Sequence, residues 1–128
     1  APEKVENVYL RSRYVAEVFV YGESIRDYNV AIVHPNFEKV KEIAREMEIG
    51  EDPKEICDNS KIVRFVLEEM NKQGKQDGLF GFEMAKRIKL VPISFTTLGI
   101  FTGTLKLQRA VAKTVFSSEI QRLYSENV

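Results

Sequence analysis

Two cations stand close together in the stretch Thr102-Gly103-Thr104-Leu105-Lys106-Leu107-Gln108-Arg109. Lys106 and Arg109 are set around a glycine turn, just before an amphipathic run that reads as the last helix. The chemistry open to such a pair is the holding of negative charge. Gly103, between two threonines, can take a positive φ that other residues resist, and Thr104 to Leu107 alternates polar with apolar as a short half-buried strand does. Lys106 should then point outward. The plain reading of Lys106 is one more solvated lysine with a buried stem, and the residue pattern alone favours it. Arg109 is more informative, because a cation at the start of a helix faces the positive end of the macrodipole. It calls for an anionic partner, and a structural carboxylate and a ligand both fit the sequence.

Other reactive residue types carry less. Cys57 stands beside Asp58 and Glu55, whose charges raise a thiol pKa, so it reads as a buried structural cysteine and not a nucleophile. His34 precedes Pro35 at a strand end with no serine or cysteine nucleophile near it in sequence, and reads as a surface or packing residue. The glycines spell neither GxGxxG nor a Walker phosphate loop, so the chain by itself is not built to hold a triphosphate. Lys86, Arg87 and Lys89 form the other basic group, but their alternation with Ile88 and Leu90 is what an exposed strand face gives.

The elements that must position these residues follow from periodicity. From Pro2 to about Arg11, Val5, Val8 and Tyr9 recur at helical spacing while Glu3, Lys4, Glu6 and Asn7 stay polar, which predicts a short helix able to cover a sheet face. Val15 to Tyr21 and Asn29 to His34 are β-branched and aromatic runs, separated at Gly22 and ended by Pro35, and read as antiparallel neighbours. Asn36 is placed to cap a helix running to about Glu48 with Phe37, Val40, Ile43, Ala44 and Met47 on one side, and Gly50 to stop it. Asp52-Pro53 opens a short helical turn toward Cys57. Asn59 or Ser60 caps a longer helix with Ile62, Val63, Val66, Leu67 and Met70 as its buried stripe, punctuated by Gly74 and Gly78. Gly78 to Phe82 reads as a turn with apolar anchors. Ile88 to Val91 reads as a strand ending at Pro92, in a second small sheet. Ala110 to Tyr124 closes the chain as a helix, with Val111, Val115, Ile120, Leu123 and Tyr124 available to dock. The pattern is that of an α+β fold, with small antiparallel or mixed sheets flanked by helices.

Composition bounds the function. The chain has 128 residues, the size of one ordinary domain, and its 19 basic and 19 acidic residues cancel. No global field therefore favours nucleic acid or an anionic membrane surface. The single cysteine cannot close an intrachain disulfide, and neither it nor the single histidine has a metal-ligand cluster around it, so no metal site is expected and an intracellular setting is. No apolar run approaches bilayer length. The chain opens on Ala1, with Pro2 already at a plausible first helical position and Glu3 behind it, which gives it the look of a piece of something longer.

The order of residues resembles a known family. Ala1-Pro2-Glu3-Lys4-Val5-Glu6-Asn7-Val8-Tyr9, then Val15-Ala16-Glu17-Val18-Phe19-Val20-Tyr21-Gly22-Glu23-Ser24 and Ala31-Ile32-Val33, resemble the C-terminal domain of long-chain fatty acyl-CoA synthetases, in the adenylate-forming superfamily. The likeness continues through Leu67-Glu68-Glu69-Met70, Gly78-Leu79, Phe82-Glu83 and Leu90-Val91-Pro92. The family ends with a Thr-Pro-Thr-aromatic/apolar-Lys-x-Lys-Arg motif, which aligns with Thr102 to Arg109 and sets the family's adenylation lysine on Lys106. Gly103 replaces the usual proline and Gln108 a second lysine, and the glycine is expected to leave the loop looser than in the family.

The resemblance implies that residues 1–128 are one domain, the mobile C-terminal lid of a larger ligase. That ligase joins a fatty acid to ATP as an acyl-adenylate, releases pyrophosphate, and then transfers the acyl group to coenzyme A. It implies Lys106 as the catalytic lysine of the first step and Arg109 as a substrate contact. ATP, Mg2+, coenzyme A and fatty acid are implied for the full-length enzyme, and no cofactor for this piece. The implied partner is an N-terminal adenylate-forming domain, and the implied setting is intracellular, with the full-length enzyme at a membrane facing the cytosol. The piece alone is expected to be inactive. The rival reading, from another class, is a free-standing small α+β interaction module that keeps the lysine only by descent.

Overall fold

Val30, Ala31, Ile32 and Val33 form an unbroken apolar run, and a strand of such residues is stable only where both its faces are covered. In the computed structural model, which describes residues 1–125, that run lies in β2 (Asn29–Pro35), the central strand of a three-stranded sheet of order β1-β2-β3. All four residues are fully buried. On one side β1 (Val15–Tyr21) pairs antiparallel, with Val18 opposite Val33 and Val20 opposite Ala31. On the other, β3 (Ala85–Leu90) pairs parallel, with Val30 opposite Arg87 and Val33 opposite Leu90. The antiparallel pair is as the sequence implies, but the second small sheet is not formed. The strand expected at Ile88 to Val91 starts three residues earlier and joins the same sheet, because β2 has a second edge of backbone N–H and C=O groups that β3 satisfies.

The two faces carry separate cores. Ala31 and Val33 point into a cluster with α1 (Pro2–Tyr9), α2 (Phe37–Glu46), α3 (Pro53–Asp58) and α4 (Ser60–Gln76), and the last three make the crossover that a parallel return from β2 to β3 requires. Val30 and Ile32 point the other way, against Val91, Phe95, Ile100, α5 (Arg109–Val115) and α6 (Ser117–Ser125). The register of β1 shifts between Val15 and Glu17, which lets Val15 and Val18 share one face although they are three residues apart.

Helix ends are set locally. Asp52 accepts from the Glu55 N–H, and Asn59 accepts from the N–H groups of Lys61 and Ile62. Asn36 begins α2 without a side-chain cap bond. The residue that stops α2 is not Gly50 but Glu48, at φ 60°; its N–H bonds the Arg45 carbonyl while Ile49 N–H reaches the Ala44 carbonyl, the double bond of a Schellman ending. Gly78, at φ 83°, ends α4 in the same way. Gly74 lies inside α4, where an added Cβ would meet the Met84 sulfur at 3.0 Å. The closing helix breaks at Phe116, whose buried ring packs 5.3 Å from Phe95, and Val115 consequently faces solvent. Of the apolar anchors expected in Gly78 to Phe82, only Leu79 is buried; Phe80 and Phe82 stack on each other at the surface.

One polar clamp ties the first helix to the last strand. The buried Tyr9 hydroxyl donates to Asn71 Oδ1 at 2.7 Å and accepts from Ala85 N–H at 2.7 Å, while Asn71 Nδ2 donates to the Ala85 carbonyl at 3.0 Å. Burial pushes the Tyr9 hydroxyl up from 10.0 to about 12, against the opposing bond from Ala85. Tyr9→Phe keeps the ring but strands the Ala85 N–H and the Asn71 oxygen, and should lower stability in urea unfolding by about 1–3 kcal/mol. Because the folded hydroxyl ionises later than the unfolded one, parent stability should fall between pH 10.0 and about 12. The phenylalanine variant should lose that part of the fall.

Candidate functional site

The site assembles on the open edge of β1. A carboxylate at position 6 lies about 60° around the helix from Tyr9, at the margin of the apolar stripe and not opposite it. As Val5, Val8 and Tyr9 pack down, Glu6 is carried to the sheet edge and left only 5% exposed. There its Oε2 accepts from the Val20 backbone N–H at 2.7 Å, and its Oε1 accepts from Arg109 Nη2. Arg109 Nη1 completes the circuit by donating to the Val20 carbonyl at 3.4 Å, and its guanidinium lies 5.8 Å from the Phe19 ring centre. The anionic partner that Arg109 called for is thus a structural carboxylate.

The electrostatics of the pair follow from that placement. Burial raises the Glu6 carboxyl above its ordinary 4.5, and this outweighs the bond from Val20 and the charge of Arg109; the charge of Glu3 also pushes upward. Sequence reading missed Glu6 by counting it with the exposed polar residues of α1. The signal available was its angular position next to Tyr9.

Three residues upstream of Arg109, Lys106 sits on a hairpin and not in a strand. Phe101 and Leu107 form an isolated antiparallel bridge, and Gln108 N–H donates to the Ile100 carbonyl at 2.8 Å. Thr102 ties the tip shut. Its N–H donates to the Lys106 carbonyl at 2.8 Å, its carbonyl accepts from Leu105 N–H at 2.9 Å, and its Oγ1 accepts from Lys106 N–H at 3.0 Å while sharing a bond with Thr104 Oγ1 at 2.9 Å. The loop is therefore tied through the backbone and side chain of Thr102. The positive φ belongs to Leu105, at 61°, and not to Gly103. A left-handed conformation costs a residue with a Cβ about 1–2 kcal/mol. Leu105 bears it while 74% exposed, and Lys106 beside it is exposed as expected. Among the described residues the Lys106 ammonium has no ion-pair or hydrogen-bond partner.

Between the hairpin, α1 and the β1 edge runs an open groove of about 860 Å³. Lys106 and Arg109 line it with Glu3, Glu6 and Glu17, and Leu10, Phe101 and Leu107 supply apolar wall. Glu17 is fixed there by accepting from Phe95 N–H at 2.7 Å. The two cations named from the sequence are thus brought together, one exposed at the lip and one anchored in the wall.

The other candidates lie elsewhere. Cys57 is buried in the core of the α1–α4 face, and its thiol is pushed up to about 12, chiefly by burial, with Lys89 opposing and Asp58 adding a lesser part. His34 bonds the Val91 carbonyl through Nδ1 at 3.0 Å and meets the Phe37 ring edge-on. Lys86 lies over the Tyr28 ring, Arg87 donates to the Leu123 carbonyl at 3.3 Å and Lys89 pairs with Asp58 at 3.2 Å. Among the described residues no group of acidic, histidine or cysteine side chains could hold a metal ion, and no helix is long and apolar enough to cross a membrane.

Comparison with known proteins places this geometry. No family model matches the chain. It is 39% identical over 127 residues to fatty acyl-CoA synthetase B of Dictyostelium discoideum, covering 98% of the chain and 19% of the relative. It is 40% identical over 126 residues to long-chain-fatty-acid--CoA ligase 1 of Cavia porcellus, covering 98% of the chain and 18% of the relative. The chain thus spans about a fifth of the length of these relatives. The adenylation domain of a carboxylate reductase from Mycobacterium chelonae superposes with a TM-score of 0.80 at 23% identity, covering 97% of this chain and 18% of that one, and shows the fold. The resemblance read from the sequence holds over nearly the whole chain.

The Glu6–Arg109 pair gives a pH-dependent prediction. Arg109→Ala leaves a buried carboxylate without its cation and should cost about 1–3 kcal/mol at neutral pH. Since Glu6 already ionises above 4.5 in the folded chain, its contribution favours folding below that value and is lost as pH rises through the raised one. Removing Arg109 raises it further. Urea unfolding of variant and parent should therefore diverge most at neutral pH and converge as the pH falls below about 4.5, where Glu6 is protonated in both states. A deficit that is independent of pH would contradict the pairing.

Proposed function

We propose that this chain, similar over 98% of its length to a segment of long-chain fatty acid CoA ligases, is the C-terminal lid of such an enzyme and supplies Lys106 to the adenylation step. The observation that carries the reading is the presentation of Lys106. Its backbone is fixed by Thr102 at a strained hairpin tip, and its ammonium stands exposed at the lip of a groove without a partner among the described residues.

A cation presented in that way has a use when negative charge arrives from outside the chain. In the proposed enzyme the fatty-acid carboxylate attacks the α-phosphate of ATP and pyrophosphate leaves, and a preorganised ammonium lowers the energy of the charge that accumulates on the reacting oxygens. Lys106 would enter the cleft of the larger N-terminal domain for this step. The lid then turns so that another face serves the attack of the coenzyme A thiol, which yields acyl-CoA and AMP. ATP, Mg2+, fatty acid and coenzyme A would be held mainly outside these residues, since the chain has neither a phosphate loop nor a metal-ligand cluster among its described residues. A substrate contact by Arg109 would use the guanidinium donors not taken by Glu6 and Val20. The 128-residue chain alone would be inactive, because each group described is one part of a site completed by another domain. The intracellular, cytosol-facing setting belongs to the same proposal.

Lys106→Ala in the complete enzyme tests it. Adenylate formation should slow by about 10²- to 10³-fold, the scale for loss of one preorganised donor. Stability should change by less than about 0.5 kcal/mol, since the side chain is exposed. Supplied with preformed acyl-adenylate and coenzyme A, the variant should make thioester at near the parent rate. Equal impairment of both steps at unchanged stability rules out the assignment.

A further inference from the structure

The Glu6 carboxylate lies on α1, the Val20 backbone on the sheet edge and Arg109 at the first turn of α5, three residues beyond Lys106. Both Glu6 oxygens are engaged, one by Val20 N–H at 2.7 Å and one by Arg109 Nη2, and Arg109 returns to the Val20 carbonyl. The circuit therefore fixes the C-terminal root of the Lys106 hairpin to α1 and β1 at once. Its other root is held independently, where Glu17 accepts from Phe95 N–H at 2.7 Å at the start of the segment leading to Phe101. Two carboxylates of the β1 edge region thus hold the two ends of the segment that presents the lysine, and Glu6 holds the end nearer to it.

We propose that Glu6 is a positioning residue for Lys106: acting through Arg109, it sets where the hairpin presents the ammonium relative to α1 and the edge of β1. The proposal rests on the adenylation reading of Lys106, but its geometry does not. A shorter or uncharged side chain at position 6 leaves the fold its two cores and loosens the one charged tie at the hairpin root. The reacting cation then samples positions around its productive one, and misplacement by about 1 Å is enough to slow chemistry by up to about 10²-fold.

The experiment has two arms that separate this proposal from the reading beneath it. In the 128-residue chain, amide hydrogen exchange and chemical shifts of Leu105, Lys106 and Leu107 are compared in the parent, Glu6→Gln, Glu6→Asp and Tyr9→Phe. Tyr9→Phe serves as the control for lost stability, because its clamp lies at Asn71 and Ala85 and not at the hairpin. Glu6→Gln should shift and deprotect the hairpin amides, Glu6→Asp should do so less, and Tyr9→Phe should leave them in place under conditions where all four chains are folded. In the complete enzyme, Glu6→Gln should lower kcat of adenylate formation by about 10- to 100-fold with KM for ATP and fatty acid little changed and the thioester step spared. Glu6→Asp, which keeps the charge, should recover part of that loss. Hairpin amides that do not respond to Glu6→Gln, or that respond equally to Tyr9→Phe, overturn the positioning role whatever Lys106 does. Responsive amides with adenylation unaffected in both Glu6→Gln and Lys106→Ala keep the tether and sink the adenylation reading. Adenylation lost in Lys106→Ala but intact in Glu6→Gln overturns the positioning role alone.

Discussion

The backbone of Val20 has only one strand beside it. β1 is the outer strand of the sheet, so the groups of Val20 that face away from β2 meet no ladder, and a sheet edge left so is costly to bury and open to pairing with other chains. Glu6 accepts from its N–H and Arg109 donates to its carbonyl, and the two side chains bond each other. One edge residue thereby joins the first helix, the sheet and the fifth helix, through a pair separated by 103 positions in the chain. A buried carboxylate is expensive to hold in charged form, and burial outweighing its partners in the direction of the Glu6 shift states that cost. What the cost secures is a tie of α1 and α5 to the same residue of the sheet edge, with both Val20 backbone groups met.

The rest of the fold makes that edge available. β2 is buried on both faces and occupied on both edges, so helices must cover the sheet above and below. The crossover through α2, α3 and α4 closes one face. The chain then packs along the other face of the sheet through Val91, Phe95 and Ile100 and forms the hairpin before α5 begins. The groove is the space left between that hairpin and α1. Its polarity is mixed because the edge it runs along is capped by carboxylates, and the two cations are where negative charge can enter it.

The hairpin tip departs from local preference. Leu105 takes a left-handed conformation that glycine or asparagine would adopt at lower cost, and it stands exposed while doing so. Strain at an exposed apolar residue, here beside an ammonium with no partner among the described residues, is found where the surrounding bonds over-determine the backbone. Here those bonds all come from Thr102. The similarity to long-chain fatty acid CoA ligases gives the strained tip a setting, in a chain that covers about a fifth of its relatives' length.

Local chemistry was legible in the sequence. The apolar runs of β1 and β2, the stripe of α4, the caps at Asp52 and Asn59 and the outward Lys106 each follow from spacing or from bonds within a few residues. The family resemblance was legible for the same reason, since it lies in the order of residues. Tertiary structure decided the rest. It joined β3 to β2 in parallel, because strand pairing depends on a partner edge more than fifty positions away and leaves no periodic trace. It broke the last helix at Phe116 so that the ring could meet Phe95. It gave the left-handed turn to Leu105 and not to Gly103, because Thr102 bonds dictate the tip and glycine merely permits one. Above all it took Glu6 from the polar side of a helix to a buried place beside Arg109. Periodicity reports which side of an element is apolar; which polar residue at the margin of that side is carried inward is set by the element packed against it.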